Sequence, residues 1–218
     1  MRKIVAAMTG VLVLAAGWTV SAQESMKPTS PQAKSSHEAM AKGSGRKSDA
    51  ATIAKAVSAA PPEVGKNATV MAVGSDGQMK QLRAGTNGWM CMVDPAGDPM
   101  CLDKEWQAWG EAWMHKTDPP QPKAVGVAYM LKGDNGASNT DPYATGPTPD
   151  NQWVLSGPHI MLLPTDRRQL DAFPTDPRTG GPWVMWKDTK YAHIMVPVAA
   201  MPKAATAVKK VPKASPTR

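Results

Sequence analysis

The tripeptide His-Ile-Met occurs twice in this chain, as His159-Ile160-Met161 and His193-Ile194-Met195. Each sits in a run with strand character, where residues two apart share a face roughly 6 to 7 Å from one another. Imidazole and thioether then point the same way, a pairing that suits copper: the thioether favours Cu(I) and the imidazole serves either oxidation state. His159, Met161, His193 and Met195 are the candidate metal ligands, and copper the candidate cofactor. The chain has 15 methionines and four histidines, so chance supplies two such pairs about 3% of the time, and coincidence competes. Core packing competes too, with Met filling gaps and each histidine a core or rim residue. A third reading makes His159 or His193 the general base of a hydrolase. Ser156-Gly157-Pro158-His159, however, is not the Gly-x-Ser-x-Gly elbow, and no catalytic residue is assigned.

Cys91 and Cys101 are the only cysteines, with nine residues between them that include Asp94-Pro95-Ala96-Gly97-Asp98-Pro99, and are expected to form a disulfide outside the cytoplasm. Thiolate metal binding is the rival; the neighbours Met90, Met92 and Met100 are soft but not specific. Trp106, Trp109 and Trp113 fall at helical offsets of 3 and 7, so three indoles share one stripe and can line a groove for a sugar, peptide or lipid. With a single Phe in the chain, Trp must also fill the core. Asp94, Asp98 and Asp103, and separately Asp134, Asn135, Asn139 and Asp141, sit in Gly- or Pro-bearing loops, where turn chemistry is favoured over Ca²⁺ ligation. Gly133-Asp134-Asn135-Gly136 lacks the Lys and helix of a phosphate loop, and no His/Cys set has zinc spacing.

These residues need elements to hold them. A short helix is expected over Thr52–Ala59, stopped by Pro61-Pro62, then a hairpin of Ala68–Val73 and Gln78–Arg83 around Ser75-Asp76-Gly77. Asp103 caps the Trp helix, which Asp118-Pro119-Pro120 ends, and His115 suits the dipole there. Val125–Lys132 reads as a strand, Gly133–Asn151 as a long loop, and Trp153–Ser156 and His159–Leu163 as strands. Thr165 is expected to cap helical turns over Asp166–Phe173. A closing hairpin joins Trp183–Trp186 to Tyr191–Val198 through Asp188-Thr189, setting Trp186 opposite Tyr191 and Val184 opposite His193. The sum is an α+β fold: a mostly antiparallel sheet with one Trp-rich helix and one or two short helices in a single small domain.

Arg2-Lys3, the apolar run Ile4–Trp18 and Val20-Ser21-Ala22 before Gln23 read as a signal peptide over 1–22, the run being too short to span a bilayer. Residues 23–51 read as a disordered linker, 52–200 as the globular domain and 201–218 as a disordered basic tail. The formal charge is +7, yet 52–200 holds 13 basic against 15 acidic residues. The excess therefore lies at the ends, and the body offers no positive field for nucleic acid. Lys203, Lys209, Lys210, Lys213 and Arg218 instead suit an anionic envelope surface, and no transmembrane segment is expected after cleavage. The expected location is periplasmic or secreted.

Three segments carry a resemblance: Gly85-Thr86-Asn87-Gly88-Trp89-x-Cys91, Asp98-Pro99-Met100-Cys101-Leu102-Asp103 and Tyr191-Ala192-His193-Ile194-Met195-Val196-Pro197-Val198. In these the chain resembles exported bacterial proteins of unknown function, over roughly residues 52–198. That implies a signal-bearing, single-domain envelope protein and supplies no activity. Exported copper carriers also use His-x-Met segments, but their further upstream His or Met is missing before both pairs, so that family is not assigned. The expected function is a non-enzymatic binding or structural module, with copper binding its sharpest form; a hydrolase or a passive envelope protein is the alternative.

Overall fold

The computed structural model describes residues 48–74 and 77–202. The expected signal peptide at 1–22, the part of the expected linker up to 47 and the part of the expected tail from 203 lie outside the described residues. The first helix, α1, covers 48–57 and so takes in the last four residues expected to be linker. Pro62 then opens a one-turn helix, α2 (Pro62–Gly65), at a position where its missing N–H costs nothing.

The expected hairpin forms as β1 (Thr69–Val73) and β2 (Met79–Arg83). A second hairpin, unassigned from sequence, pairs β3 (Met90–Val93) with β4 (Pro99–Leu102). Cys91 lies directly opposite Cys101 in it, and the two form the disulfide, whose short closed loop contributes about 2 to 3 kcal/mol. Helix α3 (Lys104–Met114) follows; the Asp103 carboxylate accepts the Trp106 N–H at 2.9 Å as its cap. It ends at Met114, four residues before Asp118, because His115 leaves helical geometry and Lys116 turns to φ +57°.

The remaining strands are β5 (Gly126–Met130), β6 (Ala137–Ser138), β7 (Trp153–Val154), β8 (His159–Leu163), β9 (Trp183–Met185) and β10 (His193–Pro197). Eight strands form one sheet in the order β2-β1-β3-β4-β5-β8-β10-β9, antiparallel at every step except the parallel β1/β3 pair. The mostly antiparallel α+β architecture is therefore as expected. Three local expectations are corrected. Trp153–Val154 leaves the main sheet to pair with Ala137–Ser138, so the long loop carries its own ribbon. Asp166, not Thr165, caps a 3₁₀ turn over Arg167–Ala172, because its carboxylate reaches the Arg168 N–H. In the closing hairpin His193 lies opposite Met185 and Ile194 opposite Val184. The register shifts by one because Trp186 turns out of the strand at φ +58°.

The register sorts the sheet's side chains into two chemically distinct faces. One carries Val70, Cys91, Cys101, Tyr129, Ile160 and Ile194, covered by Ala56 and Ala59 around α1 and by Leu170 from the 3₁₀ turn. The other carries both strand histidines and all nine methionines that the described strands contain. Helix α3 lies on this second face, where Gly126 makes room for it: a Cβ there would stand 3.0 Å from the Cβ atoms of Glu105 and Leu163.

Candidate metal centre

Met161 and Met195 face each other directly across β8 and β10. His159 and His193 lie two residues outward on their own strands, in opposite directions, so all four candidate ligands share one face within a patch of about 13 by 5 Å. Two methionines that sequence reasoning did not single out complete the surroundings. Met130 lies opposite His159, and Met185 lies opposite His193. Each imidazole thus has one thioether two residues along its strand and another directly across. Only the cross-strand register reveals the second.

The protonation state of both rings follows from their hydrogen bonds. His159 Nδ1 donates to the Gly157 carbonyl at 2.8 Å, and His193 Nδ1 to the Tyr191 carbonyl at 3.0 Å. A carbonyl oxygen only accepts, so Nδ1 carries the proton in each ring and Nε2 presents its lone pair. Both Nε2 atoms are buried and have no hydrogen-bond partner among the described residues, in residues only 1% exposed. Burial pushes the pKa of His193 down to about 4, with His159 adding to the shift and the Tyr191 carbonyl opposing it. Burial lowers that of His159 as well, against the pull of Asp134 and Asp98. Both rings are neutral at pH 7, with the tautomer a metal ligand needs and the backbone bond that fixes its orientation.

Aromatic rings wall the His193 end. Trp106, Trp109 and Trp186 stand edge-on to the imidazole, with centroids 5.3, 5.7 and 5.0 Å away. Trp109 also stacks parallel to Trp186 at 6.0 Å. Trp186 holds its left-handed backbone through two bonds into the long loop: its indole N–H donates to the Ser138 carbonyl at 2.7 Å and its backbone N–H to the Asn139 carbonyl at 2.9 Å. A bulky residue at positive φ marks a position the surroundings over-determine. The loop is therefore a brace for this wall.

Two of the three indoles of the Trp stripe face inward. Trp106 and Trp109 are in the core at 2% and 8% exposure, because the stripe faces the sheet. Only Trp113, half-buried and stacked on Tyr143 at 5.6 Å, reaches towards the surface. Trp109 also edges a cavity of about 260 Å³ lined by Pro119, Pro120, Gln121, Leu163 and Arg167.

The loop acids work as turn and cap residues. The Asp94 carboxylate accepts the Asp98 N–H, Asp98 binds the side chain and backbone N–H of Asn135, and Asp141 accepts the Tyr143 N–H. Asn139 accepts from the Trp183 indole, and Asp134 accepts the backbone N–H of Ser156 and Gly136. Among the described residues no three His, Cys, Asp or Glu side chains are placed to hold a metal.

Asp134, Ser156 and His159 are neighbours without forming a relay. A catalytic serine would sit on Nε2, which has no partner, while Nδ1 is taken by Gly157 rather than by the aspartate. His115 pairs with Glu111 at 2.9 Å on the exposed end of α3. Among the described residues no helix is long and apolar enough to cross a membrane. Comparison with protein-family models, with curated proteins and with solved structures gave no match.

Proposed function

We propose that this protein is an exported, non-enzymatic binding module that holds Cu(I) through its two His-x-Met segments, His159 with Met161 at one end of the patch and His193 with Met195 at the other. The observation that carries the reading is the pair of buried Nε2 lone pairs without partners, on the sheet face that bears the methionines. A buried polar atom left unpaired costs about 1 to 3 kcal/mol, and a metal bond at Nε2 repays that cost. The donor set selects the ion. Imidazole and thioether are both neutral donors, and the cost of burying a cation rises steeply with its charge, so a soft monovalent ion is favoured over a divalent one. Export rests on the 1–22 segment, and the basic 201–218 tail provides attachment to anionic envelope surfaces.

The test is anaerobic titration of the mature protein with Cu(I) against bicinchoninate. Stoichiometric capture is expected, with affinity falling by about a hundredfold or more in the His159→Ala/His193→Ala variant. Failure of the wild-type protein to compete with the chelator would end the reading and leave both histidines as packing residues.

A further inference from the structure

His159 and His193 are buried, and neither lines the cavity beside residues 187–190 or the one beside residues 119–122. A centre sealed in this way needs a route by which the ion arrives.

The register supplies one. Met71 on β1 lies opposite Met92 on β3, and Met92 opposite Met100 on β4. The Cys101/Tyr129 and Leu102/Ala128 pairs set Met100 in line with Met130 on β5, and Met130 lies opposite His159 on β8. Four thioethers thus cross four neighbouring strands in an unbroken row ending on the imidazole. Directly opposed side chains lie about 4.5 to 5.5 Å apart at Cβ, within the swing of a methionine with three rotatable bonds. Burial rises along the row: Met71, Met92 and Met100 are half-buried, whereas Met130 and His159 are buried.

The adjacent row shows what an interrupted one looks like. It runs Met90, Leu102, Ala128, Met161, Met195, so the two residues between Met90 and Met161 carry no donor. Core packing asks for volume on this face, which Leu or Ile would supply equally well. It does not ask for sulfur at four consecutive cross-strand positions.

We infer that the row Met71-Met92-Met100-Met130 is the loading route by which a soft monovalent metal ion passes from the β1 side of the sheet to His159, an inference that rests on the Cu(I) reading above. The ion exchanges one neutral thioether for the next without change of oxidation state, so no proton or electron is required. Its final step exchanges the Met130 sulfur for His159 Nε2.

The experiment is stopped-flow transfer of Cu(I) from its bicinchoninate complex to the full mature protein, with the equilibrium affinity measured on the same samples. Met92→Leu/Met100→Leu conserves volume and removes two donors from the middle of the row. It is expected to slow loading by about tenfold or more with affinity unchanged. Met71→Leu, at the half-buried outer end, gives a smaller slowing and carries the test if the double variant does not fold. Met90→Leu, in the interrupted row, leaves the rate unchanged. Variant rates equal to wild type in a protein that binds Cu(I) would overturn the route while leaving the site intact. A loss of affinity in Met92→Leu/Met100→Leu would also overturn it, by making those sulfurs ligands. Absence of wild-type binding would instead remove the site itself.

Discussion

A backbone carbonyl beside each Nδ1 decides what His159 and His193 can do, and burial makes them sensitive to acid. His193 has an ordinary pKa of 6.5 when the chain unfolds and about 4 when folded, because burial disfavours the imidazolium. The unfolded chain therefore binds the extra proton between pH 6.5 and 4, so the contribution is fully present above 6.5 and is lost as pH falls through that window. At 1.36 kcal/mol for each pH unit, His193 accounts for roughly 3 kcal/mol. His159 acts in the same direction. Asp94 and Asp134, whose carboxyls burial pushes up, take their protons more readily in the folded chain and oppose the trend at its acid end. Urea unfolding of the metal-free protein from pH 7.5 down to 4.5 should show a steep loss of stability, flattened in His193→Gln. Parallel curves for the two proteins would place the cause elsewhere.

At the scale of elements, one carboxylate ties the helix to the sheet. Asp103 accepts the Trp106 N–H with one oxygen and the Val127 N–H with the other, at 2.9 and 2.5 Å, so it caps α3 and pins its start to β5. Asp103→Ala removes a cap worth about 1 kcal/mol and leaves a second donor unpaired at a further 1 to 3 kcal/mol. The expected loss is about 2 to 4 kcal/mol by denaturant titration, with Asp103→Asn recovering part of it through its one carbonyl oxygen. A cost under about 0.5 kcal/mol would show that the Trp stripe alone positions the helix. The cap and the stripe were legible in the sequence because both are local, one side chain to one N–H and one side chain per helical turn. The second hairpin was not, since Met-Cys-Met-Val and Pro-Met-Cys-Leu carry no polar alternation; what marks it is the disulfide that opposes its two strands. Nor was the shifted register of the closing hairpin, which depends on a left-handed Trp186 that its bonds to Ser138 and Asn139 hold in place.

Over the whole molecule, charge and chemistry are both segregated. The body from 52 to 200 has a small acidic excess, and the residues after 200 carry five basic groups and no acid. If the tail serves attachment, truncation after Pro202 should abolish most binding to phosphatidylglycerol vesicles at low salt. It should leave urea unfolding and Cu(I) affinity as they were, because each Lys near an anionic surface is worth about 1 kcal/mol while the donors lie in the sheet. Equal vesicle binding by the truncated chain would remove the tail from the account. The second segregation sets the strand methionines on one sheet face and most β-branched residues, with the disulfide, on the other.

The sequence by itself determined the fold class, the cysteine pair, the cap and helical stripe of α3, and the two His-x-Met pairs, since each is a relation between residues near one another along the chain. The tertiary structure decided that both pairs share one face, that Met130 and Met185 stand across from the histidines, that the Trp stripe turns inward as a wall, and that four methionines line up across four strands. Those relations join residues brought side by side only by strand order and register. A shift of one residue in any pairing would send every side chain of that strand to the opposite face.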